Sequence, residues 1–282
     1  MNKWILGARI KTLPAAIAPV IVGTSLADQI KVINALLALI VSLSLQIAVT
    51  YANDFSDGVR GTDTNRVGPT RLVASKLATA SSVKNASFIS FFVAIIAGTL
   101  LAFNTSVWLI AVGLISILAA WGYTGGKKPY GYLGFGELAV FIFFGIVATV
   151  GSYYVQVEQI SSSALLLSIP MGSLSCAILV INNLRDLNQD KLVSKRTMAV
   201  KLGDANTRIF YLLLLVLAQV SAAAAASINN YALLTLLWLP LTYSAANQVL
   251  KGASGKELIT ILGKTSRLQF LLALTLAISL SI

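Results

Sequence analysis

The chain has 282 residues, of which 57% are apolar and only 11% charged. Soluble domains carry about a quarter charged residues, so a chain this long lacks the polar surface to face water and its solvent is lipid. It has no histidine and one cysteine, Cys176, which excludes histidine acid–base chemistry, histidine-ligated zinc or haem, and a disulfide framework.

Hydrophobic runs of bilayer length predict nine transmembrane helices in one all-α polytopic bundle, at about 13–29, 33–53, 86–103, 107–123, 136–155, 164–183, 209–228, 232–250 and 268–282. Arg9 and Lys11 precede the first run, but no small-residue cleavage site follows, so no cleavable signal peptide is expected. The connections after the odd-numbered spans are short and hold only Asp28, Lys31 and Glu158 as charges. Those after the even-numbered spans are longer and basic. Counted with the N-terminus, they hold 20 of the 21 Lys and Arg residues, Lys31 being the exception. The basic surplus is therefore read as the positive-inside rule and not as a nucleic-acid surface, and it makes that side cytoplasmic.

Two acidic clusters close two of the even-numbered spans. Span two ends in Asn53-Asp54-Phe-Ser-Asp57, and span six in Asn182-Asn183-Leu-Arg185-Asp186 with Asp190 following. The repetition suggests one domain over 1–282, built from two similar halves, roughly 1–125 and 126–282, with a site between them. Three- and four-residue spacings put each cluster on one helix face. Asp54, Asp57, Asp63, Asp186 and Asp190 are five of the ten acidic residues, all on the same predicted side. An Asn-Asp pair at a helix end is ordinarily a cap or a solvated boundary. This concentration argues instead for a hard divalent cation, because carboxylates at a membrane boundary need neutralising and no His or Cys ligand is on offer. Mg²⁺ takes a few carboxylates, waters and phosphate oxygens, so two facing clusters suit two ions bridging one pyrophosphate. Arg9, Lys11, Lys127, Arg185, Lys195 and Arg196 are the candidate cationic donors to that leaving group.

These motifs resemble the UbiA superfamily of intramembrane aromatic prenyltransferases. The resemblance rests on Asn53-Asp54-x-x-Asp57, Asp186-x-x-x-Asp190 and Tyr123-x-x-x-Lys127, and it covers essentially the whole chain. Ala8-Arg9-Ile-Lys11-Thr12-Leu13-Pro14, Arg66-Val-Gly68-Pro69-Thr-Arg71, Gly134-Phe-Gly-Glu137 and Lys195-Arg196-Thr197 are more narrowly similar to the 1,4-dihydroxy-2-naphthoate polyprenyltransferases of menaquinone synthesis. Gly61 stands where the superfamily often has a third aspartate, and Ser194 where the branch usually has glycine.

The resemblance implies a site facing the cytoplasm in a bacterial-type cell membrane. Its substrates would be a polyprenyl pyrophosphate and 1,4-dihydroxy-2-naphthoate, and its surroundings membrane lipid. Asp54, Asp57, Asp186 and Asp190, with Asn53 and Asn183, would hold Mg²⁺. Lys127, Arg9, Lys195 and Arg196 would bind pyrophosphate, and Tyr123 would face the allylic cation. Lys11 or Arg185 would take the naphthoate carboxylate. Glu137 is open between a structural acid and a site residue. Other superfamily acceptors such as 4-hydroxybenzoate are the nearest competitors. A CDP-alcohol phosphatidyltransferase fails because its second acidic pair should follow at close range. A secondary transporter fails because its carboxylates belong near the midplane, not at helix ends.

Overall fold

The computed structural model describes residues 2–62, 68–126 and 128–282; Asp63, Arg66 and Lys127 lie outside them. Among the described residues all regular structure is helical. The helices are α1 (Lys3–Gly7), α2 (Pro14–Ser25), α3 (Val32–Arg60), α4 (Ala80–Asn104), α5 (Trp108–Thr124), α6 (Gly136–Val157), α7 (Ser162–Leu192), α8 (Met198–Ser227), α9 (Leu239–Leu250) and α10 (Gly255–Ser281). Short 3₁₀ turns lie at Ile10–Thr12 and Tyr130–Leu133, and a longer one at Asn230–Trp238.

The ends follow from the local sequence. Pro14 opens α2, where a missing N–H costs nothing. Thr79, Ser161 and Thr197 accept from backbone amides at the starts of α4, α7 and α8. Ser254 and Glu257 close a reciprocal capping box on α10. Gly61, in the left-handed region, ends α3.

The expected count of nine spans is not met. Among the described residues six helices are long and apolar enough to cross a bilayer, or seven if the bent pair Lys3–Thr12 and Pro14–Ser25 forms one span. That pair turns by 53°, around Arg9 in the left-handed region and Pro14. The expected span at 107–123 is a helix of 17 residues, about 26 Å long against a core of about 30 Å. The one at 232–250 is a 3₁₀ segment that becomes α9, of 12 residues, just before Pro240. Hydropathy sums over such breaks and does not register them.

Helix α7 is the axis of the bundle. It packs on α2, α6, α8 and α10, and α2 and α7 to α10 build the largest apolar core. At one crossing α6 and α7 touch backbone to backbone: a Cβ on Gly145 would lie 2.7 Å from Gly172 Cα. Small residues allow this approach, and here α6 loosens into a π turn over Phe141–Val147. Helices α4 and α5 instead turn Phe88, Phe92, Trp108 and Leu118 outward, as lipid contact demands.

Candidate active site

The acidic C-terminal ends of α3 and α7 meet at one end of the bundle. A polar cavity of about 40 Å³ lies between them. Asn53 enters it from α3, and Asn182, Asn183, Asp186 and Asp190 from α7; Arg71, Tyr123, Tyr132 and Lys195 are also part of the wall. An apolar chamber of about 210 Å³ adjoins it, lined by Gln46 and Val49 of α3, Ala139, Val140, Phe143 and Phe144 of α6, Ile178 and Leu179 of α7, and Arg9. Asn53, Tyr123 and Asn182 line both, so they form the neck between an ionic and an apolar compartment.

The four aspartates do different things. Asp57 is fully buried. Its carboxylate accepts from the Tyr132 hydroxyl, from Arg71 at 3.4 Å and from Lys195 at 3.3 Å. Asn53, with its amide turned to satisfy both ends, accepts from Arg71 at 2.9 Å and donates to Asp57 at 3.2 Å. Asp186 takes a two-pronged bond from Arg185, at 2.8 and 2.7 Å, and Arg185 also donates to Asn182 at 2.7 Å. Lys195 Nζ lies 4.0 Å from Asp190 Oδ1 as well as against Asp57, so one ammonium joins the two clusters. Asp54 faces elsewhere. Its two oxygens accept from the backbone amides of Leu72 at 2.7 Å and Val73 at 3.0 Å, pinning the α3–α4 connection to α3.

The remaining sequence candidates divide in the same way. Arg9 lines the chamber and Lys195 the polar cavity. Lys11 is exposed, lines neither, and offers its backbone carbonyl to Ser266. Arg196 lines neither and donates its backbone N–H to Tyr132 O. Asn183 donates to Glu137 at 2.9 Å.

Tyr132 and Arg60 escaped the sequence reading. The Tyr132 hydroxyl bridges Asp57 and Arg60, and its ring lies 4.5 Å beneath the Lys195 ammonium. Burial, then the Asp57 charge, holds its phenol above the ordinary range, so it remains an O–H donor. Arg60 caps α5 by donating to the carbonyls of Thr124 and Gly126. The only sequence signal for either was proximity to residues already singled out.

The cavity suits magnesium by the chemistry of its donors. Asn53, Asn182, Asn183, Asp186 and Asp190 offer oxygen, and none of the lining residues offers a thiolate or imidazole. Among the described residues no three acidic side chains converge into a cage. That agrees with an ion that keeps its waters and takes substrate phosphate oxygens.

Residues 16–277 match the model of the UbiA prenyltransferase family. A 1,4-dihydroxy-2-naphthoate octaprenyltransferase of Mycobacterium tuberculosis is 48% identical over 278 residues, covering 98% of this chain and 95% of that protein. In fold, the chain is similar to the apo structure of a UbiA homolog from Aeropyrum pernix K1, with TM-score 0.74 and 13% identity over 96% of this chain and 97% of that one. It is also similar to a UbiA homolog from Archaeoglobus fulgidus bound to DMAPP and Mg²⁺, with TM-score 0.67 and 10% identity over 98% and 99%. The chain belongs to the UbiA prenyltransferase family.

Proposed function

We propose that the chain transfers a polyprenyl group from polyprenyl pyrophosphate to 1,4-dihydroxy-2-naphthoate, with loss of the ring carboxylate, in the synthesis of menaquinone. The observation that carries this reading is the neck at Asn53, Tyr123 and Asn182, where an oxygen-lined cavity opens onto an apolar chamber. An allylic pyrophosphate has that same polarity.

Asn53, Asp57, Asn183, Asp186 and Asp190 would hold magnesium, as two ions because the donors fall into two groups on α3 and α7. Bound there, magnesium supplies the charge that offsets the departing pyrophosphate. Lys195 and Arg71 already sit among these acids and donate to the pyrophosphate oxygens, with Lys127 as a further donor. Asp54 is assigned to the fold, as the clamp on Leu72 and Val73.

The allylic C–O bond breaks and pyrophosphate leaves with the electron pair. The Tyr123 ring at the neck faces the resulting cation. The ring carbon of the naphthoate forms the new C–C bond and expels its carboxylate as CO₂. This restores the aromatic diol, the reduced form of a demethylmenaquinone. Arg9 takes the naphthoate carboxylate, because it is the cation that lines the chamber, whereas Arg185 is committed to Asp186 and Lys11 lies outside. Apolar walls keep water, the competing nucleophile, away from the cation. The bias of basic residues toward this side of the sequence's topology supports a site on the cytoplasmic face of the membrane.

The test is product mass spectrometry of the purified protein with Mg²⁺, a polyprenyl pyrophosphate and equimolar 1,4-dihydroxy-2-naphthoate and 4-hydroxybenzoate. A decarboxylated prenyl naphthalene product is expected. Prenylated hydroxybenzoate alone would overturn the assignment.

A further inference from the structure

Glu137 stands at the start of α6, 4% exposed. Its Oε1 accepts from Asn183 Nδ2 at 2.9 Å and its backbone carbonyl from the Cys176 thiol at 3.0 Å, while Oε2 is buried with no hydrogen-bond partner. Burying a carboxylate on one side-chain hydrogen bond is expensive, even with the positive end of a helix behind it. A neutral side chain would fill the space at lower cost. The acid therefore does something that a neutral group does not.

What it does follows from donor and acceptor chemistry. An asparagine amide has two ends of nearly equal shape, and a mixed donor–acceptor neighbour accommodates either. A carboxylate only accepts, so only the NH₂ end of Asn183 can face Glu137. The amide is planar, so Oδ1 lies on the other limb. Asn183 is part of the wall of the polar cavity, one turn before Asp186.

Resting on the proposed magnesium site, we propose that Glu137 is a positioning residue: it fixes the Asn183 amide so that its oxygen, and not its nitrogen, is presented to the cation. A flipped amide would offer a cation its NH₂ group, which coordinates nothing.

The experiment titrates Mn²⁺ into the purified protein without substrate and follows free Mn²⁺ by electron paramagnetic resonance, a readout separate from turnover. Glu137→Gln keeps shape and removes the acceptor-only character. It is expected to weaken Mn²⁺ binding by about tenfold or more, the size of effect when a partner of a metal ligand is lost. On an Asn183→Ala background the same change should have no further effect, since no amide is left to orient. Cys176→Ala, which removes the other contact to Glu137, should bind as the parent does and so separates orientation from packing. Parent-like Mn²⁺ affinity in Glu137→Gln, or an undiminished additional loss on the Asn183→Ala background, would overturn the proposal. If Asn183→Ala and Asp186→Asn both bind Mn²⁺ as the parent does, the magnesium reading itself falls and this proposal falls with it; a parent that takes up none overturns this proposal alone, since the ion would then enter with the pyrophosphate.

Discussion

Helices α3 and α7 carry comparable acidic endings and are built into the molecule differently. In its most apolar stretch 78% of the residues of α7 are buried, against 22% for α3, which lines the apolar chamber. The cluster on the buried helix reaches its cavity directly, because Asp186 and Asp190 both line the wall. The cluster on the less buried helix is braced from loops. Asp57 is held by Tyr132 and Arg71, which come from loops, and Asp54 is spent in tying one of those loops down. The more buried helix braces its own acid, Arg185 on Asp186, and the less buried one borrows rigidity from its neighbours.

That contrast can be broken by substitution. The largest effect is expected from Asp190→Asn on the central helix, which should lower kcat/KM by about 10²–10³-fold and raise the Mg²⁺ concentration for half-activity, read by pyrophosphate release. Asp54→Ala comes next and acts on a different quantity. Two backbone amides lose their acceptor, so stability should fall by about 1–3 kcal/mol, read as a lower thermal midpoint in detergent. Mg²⁺ affinity per folded molecule should stay unchanged. A metal defect without a stability defect would return Asp54 to the cation. Tyr132→Phe should be the mildest. It removes one of several donors to Asp57, and a loss of about tenfold in kcat/KM is expected, with Lys195 and Arg71 still in place. A full loss of activity there would make the hydroxyl part of the chemistry and not a brace.

The all-helical membrane class was legible in the sequence, because so apolar a chain has few explanations, and Asp186, Asp190 and Tyr123, singled out there, line the polar cavity. The pairing of Asp57 with Tyr132 was not, since it joins a helix end to a loop 75 residues away. The contacts of Asp54 were hidden for a subtler reason. Three residues of spacing from Asp57 place it near the same face, yet the α3–α4 connection folds back and supplies amides that periodicity cannot announce. The span count failed where α5 falls short of bilayer length and where the backbone bends or tightens at Arg9, Pro14 and the segment before Pro240. Those breaks change length and direction without changing how apolar the sequence is.

The shared wall of Asn53, Tyr123 and Asn182 also acts as a sorting point. Besides CO₂ there are two products: one carries several negative charges and no grease, and the other a long hydrocarbon tail and no charge. Each finds a compatible environment on only one side of those three residues. Bond cleavage there leaves the salt in the polar cavity and the hydrocarbon tail in the apolar chamber, so the two need not share one space.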